Sequence, residues 1–195
     1  MRQMSTSHLP KAHRLAFQFD PARLQADMDA LAPAEWVPHF NKGYYEKEWS
    51  GVALRSVGGH PTQLYPDPTA HGAFADTEVL ARCPYLAEVL ATFKCPLTAV
   101  RLLKLGMGAR IREHRDYNLG YEDGEIRLHI PVRTHPDVDF FLAGERLSLH
   151  EGECWYLDLN LPHRLENRSP LDRVHLVIDC VVDDWLKAQL GFEKA

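Results

Sequence analysis

Glu125-Ile126-Arg127-Leu128-His129-Ile130 alternates polar and aliphatic residues without a break. Side chains on extended chain point to opposite faces in turn, so a period of two marks a strand with one apolar face. Arg127 and His129 then share one side and Ile126, Leu128 and Ile130 the other. Such a strand suits a polar pocket on its concave face and needs a hydrophobic cover on its convex face.

Similar runs lie on either side of it. Strands are predicted over 97–105, 109–114, 125–133, 138–142, 146–149, 153–159, 163–166 and 173–182, punctuated by Gly108, Gly120, Gly124, Gly144 and Gly152. Short strands joined by glycine-containing turns predict a mainly β jelly roll; a βαβ arrangement would need helices between them. The cover comes from the amino-terminal half. Asp20-Pro21 begins a helix with Leu24, Met28 and Leu31 on one face, closed by Pro33. A second helix runs from Thr77 to Phe93, with Pro84 either breaking it or joining two shorter helices. Residues 36–56 read as loop with one or two strands around Val52-Ala53-Leu54. Residues 57–75 form a long irregular segment rich in Gly, Pro, His and Asp, of the kind that serves as a lid or binding element. A short helix at 183–187 closes the chain. The whole is an all-α start and an all-β finish within a single domain spanning 1–195, divided into 1–96 and a β core over 97–186.

His114-Arg115-Asp116 follows a predicted strand, His163 comes at long range, and Arg173 ten residues later. Two imidazoles and a carboxylate suit a non-haem Fe(II) with open coordination positions. A guanidinium beside such an iron offers a planar fork to the far carboxylate of a dicarboxylic acid such as 2-oxoglutarate. His135-Pro136-Asp137 has the same spacing as the first tripeptide, but it lies between two alternating runs in a turn-forming cluster, so it is read as a solvated loop. The segment Glu166-Asn167-Arg168-Ser169-Pro170-Leu171-Asp172 is dense in turn formers, and a hairpin there would lay the Arg173 strand against the His163 strand. The apolar run Val174-His175-Leu176-Val177-Ile178 makes a buried strand the better setting for Arg173 than a surface pairing with Asp172 or Asp179. His60 and His71 could form a second metal pair, although loop histidines are usually solvated.

Several linked motifs resemble the aspartyl/asparaginyl β-hydroxylase family of 2-oxoglutarate-dependent oxygenases, whose bacterial relatives include hydroxylases of free proline. They are Arg127-Leu128-His129-Ile130-Pro131, Gly152-Glu153-Cys154-Trp155, Leu161-Pro162-His163-Arg164-Leu165-Glu166-Asn167 and Arg173-Val174-His175-Leu176-Val177-Ile178-Asp179, within residues 97 to 186. The resemblance implies a double-stranded β-helix, a cupin-like jelly roll with Fe(II) at its open mouth. It also implies His114, Asp116 and His163 as iron ligands, Arg173 as anchor of the 2-oxoglutarate tail, and Arg127 and His129 as a basic pair that helps hold that cosubstrate. Vertebrate members lack the carboxylate ligand; Asp116 brings this chain nearer the proline-hydroxylase pattern. The implied reaction decarboxylates 2-oxoglutarate with O2 to succinate and CO2 and hydroxylates an unactivated C–H of an amino acid or a peptide residue. No catalytic side chain beyond the metal ligands is expected. Tyr117, Asn118 and Trp155 are candidate substrate-wall residues.

Composition fits a compact enzyme: 45% hydrophobic and 25% charged residues argue against disorder. A net charge of −5 carries no nucleic-acid footprint. Arg110, Arg112 and Arg115 could attract an acidic ligand, but each reads better as part of a solvated strand face. Cys83, Cys95, Cys154 and Cys180 lack metal or redox spacing and are expected to remain thiols. Without a long apolar run or an apolar leader core, no membrane span or secretory signal is expected, and the cytoplasm is the default. Two alternatives stand beside the oxygenase. A metal-binding jelly roll without oxygenase activity would keep the ligands with no need of Arg127 and Arg173, and a partner-binding protein would work through 57–75.

Overall fold

The computed structural model describes residues 9–65 and 72–192. In chain order these form β1 (Ala12–Gln18), α1 (Pro21–Asp29), β2 (Val37–Pro38), β3 (Tyr45–Glu46), β4 (Trp49–Val57), β5 (Phe74–Asp76), α2 (Pro84–Ala91), β6 (Leu97–Leu105), β7 (Arg110–His114), β8 (Glu125–Arg133), β9 (Val138–Leu142), β10 (Glu145–Arg146), β11 (Glu153–Leu157), β12 (His163–Asn167), β13 (Arg173–Val181) and α3 (Asp184–Leu190). The strands make two antiparallel sheets. The major sheet runs β1-β11-β8-β13-β6-β4-β2 with β5 beside β4, and the minor sheet β10-β9-β12-β7-β3. The architecture is the cupin-like jelly roll with supporting helices.

The alternation of β8 decides how the layers stack. Ile126, Leu128 and Ile130 are fully buried in one hydrophobic cluster with Leu24 and Met28 of α1, Leu86 and Val89 of α2, and Leu186 of α3. Burying each such side chain contributes about 1.5–3 kcal/mol, so the helices are held to the outer face of the major sheet. A smaller cluster between the sheets combines Trp49, Leu105 and Leu157 of the major sheet with Ile111, Phe140, Leu142 and Leu165 of the minor one. The even-numbered residues of β8 and β13 thus face the helices, while Arg127, His129, Arg173, His175 and Asp179 face the minor sheet.

Local signals set the helix ends. The Asp20 carboxylate accepts from the backbone N–H groups of Ala22 and Arg23, with Pro21 opening the first turn. Asp27 accepts from Leu86 N at 2.8 Å and joins α1 to the start of α2. Pro84 stands at the head of α2, after a 3-10 turn at Leu80–Arg82, so the second helical segment is two short pieces. α3 extends beyond the expected 183–187 to Leu190, where Gly191 ends it in a left-handed conformation.

The all-α start is corrected. β1 pairs with β11 at the edge of the major sheet and buries Leu15 alone among its seven residues, too faint an alternation to read. β4 is a nine-residue interior strand between β6 and β2. The end of the 57–75 segment is β5, paired with the end of β4; residues 66–71, and His71 with them, lie outside the described residues, and His60 is exposed. The strand expected at 146–149 is only Glu145–Arg146, a hairpin partner of β9 reached through Ala143 and Gly144 at φ 49° and 78°.

The hairpin expected between His163 and Arg173 is also corrected. β12 pairs with β7 and β9 in the minor sheet, whereas β13 pairs with β6 and β8 in the major sheet. The intervening turn is a corner between sheets. Buried Asn167 shapes it by donating to the carbonyls of Leu105, Gly106 and Leu171 while accepting from Ser169. Arg173 and His163 therefore face each other across the interior.

Candidate metal centre

In the minor sheet His163 is the register partner of His114, and their ring centroids lie 4.3 Å apart. Asp116 follows two residues beyond β7, where its N–H donates to Leu159 O at 2.9 Å and ties this stretch to the approach of β12. The possible ligand atoms of His114, Asp116 and His163 all lie within 4.8 Å of one another. This is a two-histidine, one-carboxylate facial triad of the kind that binds Fe(II). His135 and Asp137 are not part of it. They sit in a turn with Nδ1 3.7 Å from Oδ2, and Asp137 N donates back to the ring at 3.1 Å.

Both triad imidazoles are oriented through their rear nitrogens. His114 Nδ1 lies 2.8 Å from Arg112 O and His163 Nδ1 2.9 Å from Leu161 O. A carbonyl can only accept, so each Nδ1 carries its proton and each Nε2 presents a lone pair. Burial holds the His163 ring below the usual imidazole pKa, which favours the neutral form a metal requires.

The opposite wall, on the major sheet, is cationic. Arg127 stands across from Asp179 in the register of β8 and β13, and donates to it through Nε at 2.7 Å and Nη2 at 2.9 Å. Its Nη1 reaches Asp116 Oδ2 at 2.9 Å. Arg101, fully buried on β6, donates to Asp179 at 2.8 Å. Burial alone would raise the Asp179 pKa, but Arg101 and Arg127 outweigh it and hold the carboxyl down at about 2. Arg173 differs. It is 3% exposed, its Nε has no partner, and among the described residues the side chain makes no hydrogen bond or ion pair; its guanidinium lies 5.9 Å from the Phe140 ring. Burial unrelieved by an anion pulls its pKa down to about 9. His129 has a sealed, unpartnered Nε2, and burial with the nearby Arg173 and Arg127 keeps its ring neutral.

These groups line one cavity of about 320 Å3 between the sheets. It holds the triad, Arg127, His129 and Arg173 together. Tyr117 is on its rim and 76% exposed. Asn118 and Trp155 are not among the lining residues: Asn118 adopts φ 60° in the turn after Asp116, and the Trp155 indole donates to Glu153 at 2.8 Å. Sequence reading missed the rest of the rim. His39, Phe40, Tyr44, Trp49 and Tyr65 line it, with His39 stacked on Trp49 at 3.5 Å. It also missed Arg101, whose one signal was a charge inside the apolar run Ala99–Leu103. Arg110 and Arg112 are outside, as exposed partners of Glu166 and Glu46.

The aspartyl/asparaginyl β-hydroxylase family matches this chain over residues 19–182. The chain belongs to that family. A curated relative, the L-proline cis-4-hydroxylase of Rhizobium meliloti strain 1021, is 31% identical over 182 residues, which cover 90% of this chain and 61% of the relative. The chain thus spans less than two thirds of that protein's length. This family member shares its fold with more distant solved structures. A Pseudomonas putida prolyl-4-hydroxylase superposes with a TM-score of 0.53 at 13% identity, covering 89% of this chain and 93% of the other. A viral collagen prolyl hydroxylase from Paramecium Bursaria Chlorella virus-1 gives 0.50 at 8% identity, covering 89% and 97%. At such identities the likeness concerns the fold alone. Among the described residues of this family member, no helix is long and apolar enough to cross a membrane, and all four cysteines are free and buried.

Proposed function

We propose that this chain is an Fe(II)- and 2-oxoglutarate-dependent dioxygenase that hydroxylates an unactivated C–H of an amino acid or of an amino-acid residue in a peptide. The observation that carries the reading is Arg173, a buried cation without an anion, facing a two-histidine, one-carboxylate cluster across one cavity. A metal binder without oxygenase chemistry has no use for a guanidinium so costly to bury. A dicarboxylic acid that meets the metal with one end and Arg173 with the other supplies the missing charge.

His114 and His163 would present their bare Nε2 atoms to Fe(II), with Asp116 completing the ligand set. Bound Fe(II) supplies the redox chemistry that couples oxidation of 2-oxoglutarate by O2 to hydroxylation of the substrate. The protein's part is to position and to exclude. Arg127 holds Asp116 in place, Arg173 and His129 receive the tail carboxylate of 2-oxoglutarate, and the aromatic rim from His39 to Tyr65 with Tyr117 admits the substrate and limits water. The proline hydroxylase among the relatives makes free amino acids the first substrates to test.

Anaerobic addition of 2-oxoglutarate to the Fe(II)-loaded protein is expected to raise a metal-to-ligand charge-transfer band. Aerobic succinate formation, stimulated by one member of a panel of free amino acids and short peptides, then identifies the substrate class. Absence of both the band and succinate, in protein shown to hold iron, would sink the reading.

A further inference from the structure

His175, on the inner face of β13, belongs neither to the triad nor to the ion-pair network. In the register of β8 and β13 His129 faces Val177 and His175 faces Pro131, which makes the two histidines diagonal neighbours on one face. Their Nδ1 atoms lie 3.1 Å apart, with the rings at 78°. Two neutral imidazoles can share such a contact only if a single proton lies between the two nitrogens, because two N–H groups clash and two lone pairs repel. The rings must therefore hold opposite tautomers. Burial, reinforced by Arg173, keeps both neutral.

Their outer nitrogens meet different surroundings. His129 Nε2 is sealed and without a partner, on the wall of the cavity that contains Arg173 and the triad. His175 Nε2 is not among the sealed, unpartnered atoms, and His175 lines a second cavity of about 570 Å3 that shares Arg173 and Phe140 with the first. Of the two tautomer arrangements, one gives His129 an Nε2–H and the other gives it a lone pair. A carboxylate beside Arg173 accepts a hydrogen bond from the first and is repelled by the second.

We infer that His175 is a positioning residue: it donates its Nδ1–H to His129 Nδ1 and so fixes His129 as an Nε2–H donor toward a carboxylate bound at Arg173. The inference rests on the cosubstrate reading for that carboxylate, and through it for which ring donates; that the two rings hold opposite tautomers stands on their contact alone. The proton that turns His129 into a donor sits on a ring that is not among those lining the cavity of the triad. His175 Nε2 is left as an acceptor on the side of the second cavity.

Long-range 1H–15N correlation spectra of histidine-labelled, Zn(II)-loaded protein read the tautomers directly. His129 is expected to show a protonated Nε2 and a bare Nδ1, and His175 the reverse, with and without 2-oxoglutarate. Calorimetric titration of the same protein with 2-oxoglutarate supplies the second readout. His175→Phe keeps the ring bulk and loses the donor, and should weaken binding at least about tenfold, the cost of misdirecting one hydrogen bond to a charged group. His175→Asn retains an amide N–H near the Nδ1 position and should restore affinity to within about threefold of wild type, with Zn(II) affinity unchanged in both. A bare His129 Nε2, or a Phe variant that binds 2-oxoglutarate as tightly as wild type, overturns the inference, and so do equal losses in the two variants. If wild-type protein holds Zn(II) but takes up no 2-oxoglutarate, the cosubstrate reading fails and the tautomer spectra alone decide the role of His175. Those spectra also decide it if the Phe variant does not fold.

Discussion

Arg127 Nη1 donates to Asp116 Oδ2 at 2.9 Å, which leaves Asp116 Oδ1 on the side of His114, 3.7 Å from its Nε2. One oxygen of the carboxylate is thus held by the major sheet while the other faces the cluster on the minor sheet. Arg127 owes its own placement to Asp179 behind it.

Arg127→Lys is expected to keep a positive charge while losing the fork that reaches two carboxylates at once. Changes to groups that orient a metal ligand commonly lower metal affinity by about 10–100-fold, and a loss in that range is expected here. Anaerobic Co(II) titration followed by visible absorption measures it; unchanged affinity would mean that Asp116 is oriented by something else.

Asp179→Asn leaves Arg101 and Arg127 buried without their shared counter-charge. Breaking a buried pair from one side costs about 3–5 kcal/mol, to be read from urea unfolding at neutral pH. The wild-type protein also acquires a defined acid limb. The folded-state pKa of Asp179 is about 2 against an ordinary 3.8, so its contribution is complete above about pH 4 and is lost as pH falls toward 2. The difference corresponds to roughly 2 kcal/mol. The Asn variant should lack that part of the pH dependence, and an identical acid limb in both proteins would refute the assignment.

His163→Ala should abolish stoichiometric Co(II) or Zn(II) binding, and a chelator should strip the wild-type site to the same state. His135→Ala and Asp137→Ala should bind metal as wild type does, since those side chains lie in a turn outside the triad. Metal content after dialysis distinguishes the two sets, and loss of metal in the His135 variant would overturn the ligand assignment.

Arg173→Ala should weaken 2-oxoglutarate binding by about 2–5 kcal/mol while leaving most metal affinity intact, because it removes a buried carboxylate contact and no ligand. Arg173→Lys should recover only part of the loss. Equal cosubstrate affinity in the Ala variant would place the anion elsewhere in the cavity.

Most strands from Leu97 onward were legible because alternation and glycine turns survive in the sequence; β6, β8 and β9 match their predicted bounds, whereas the run expected at 146–149 is only Glu145–Arg146. β1 was not, since an edge strand with one buried residue leaves no periodic trace. The triad could be picked out from the strand end before it and from the turn around its decoy at His135. The path from His163 to Arg173 was misread for a physical reason: turn formers report that a chain reverses, not which sheet receives it. That choice is made by Asn167, whose carbonyl partners at Leu105 and Gly106 lie more than sixty residues away in sequence. Arg101 and Asp179 show the same limit. Each is a charge in an apolar strand, and only the register of β6 against β13 reveals that they neutralise one another.

Because His114, Asp116 and His163 are carried by one sheet and Arg127, His129 and Arg173 by the other, the site works as a caliper whose jaws are the two layers of the barrel. Facing sheets sit roughly 10 Å apart, at a spacing set by the side chains wedged between them. Phe140, Leu105 and Leu165 are among those wedges. The length of molecule that can bridge the jaws is therefore written in core residues that need never touch it, and resizing them is a route to altered ligand length that leaves every polar contact in place.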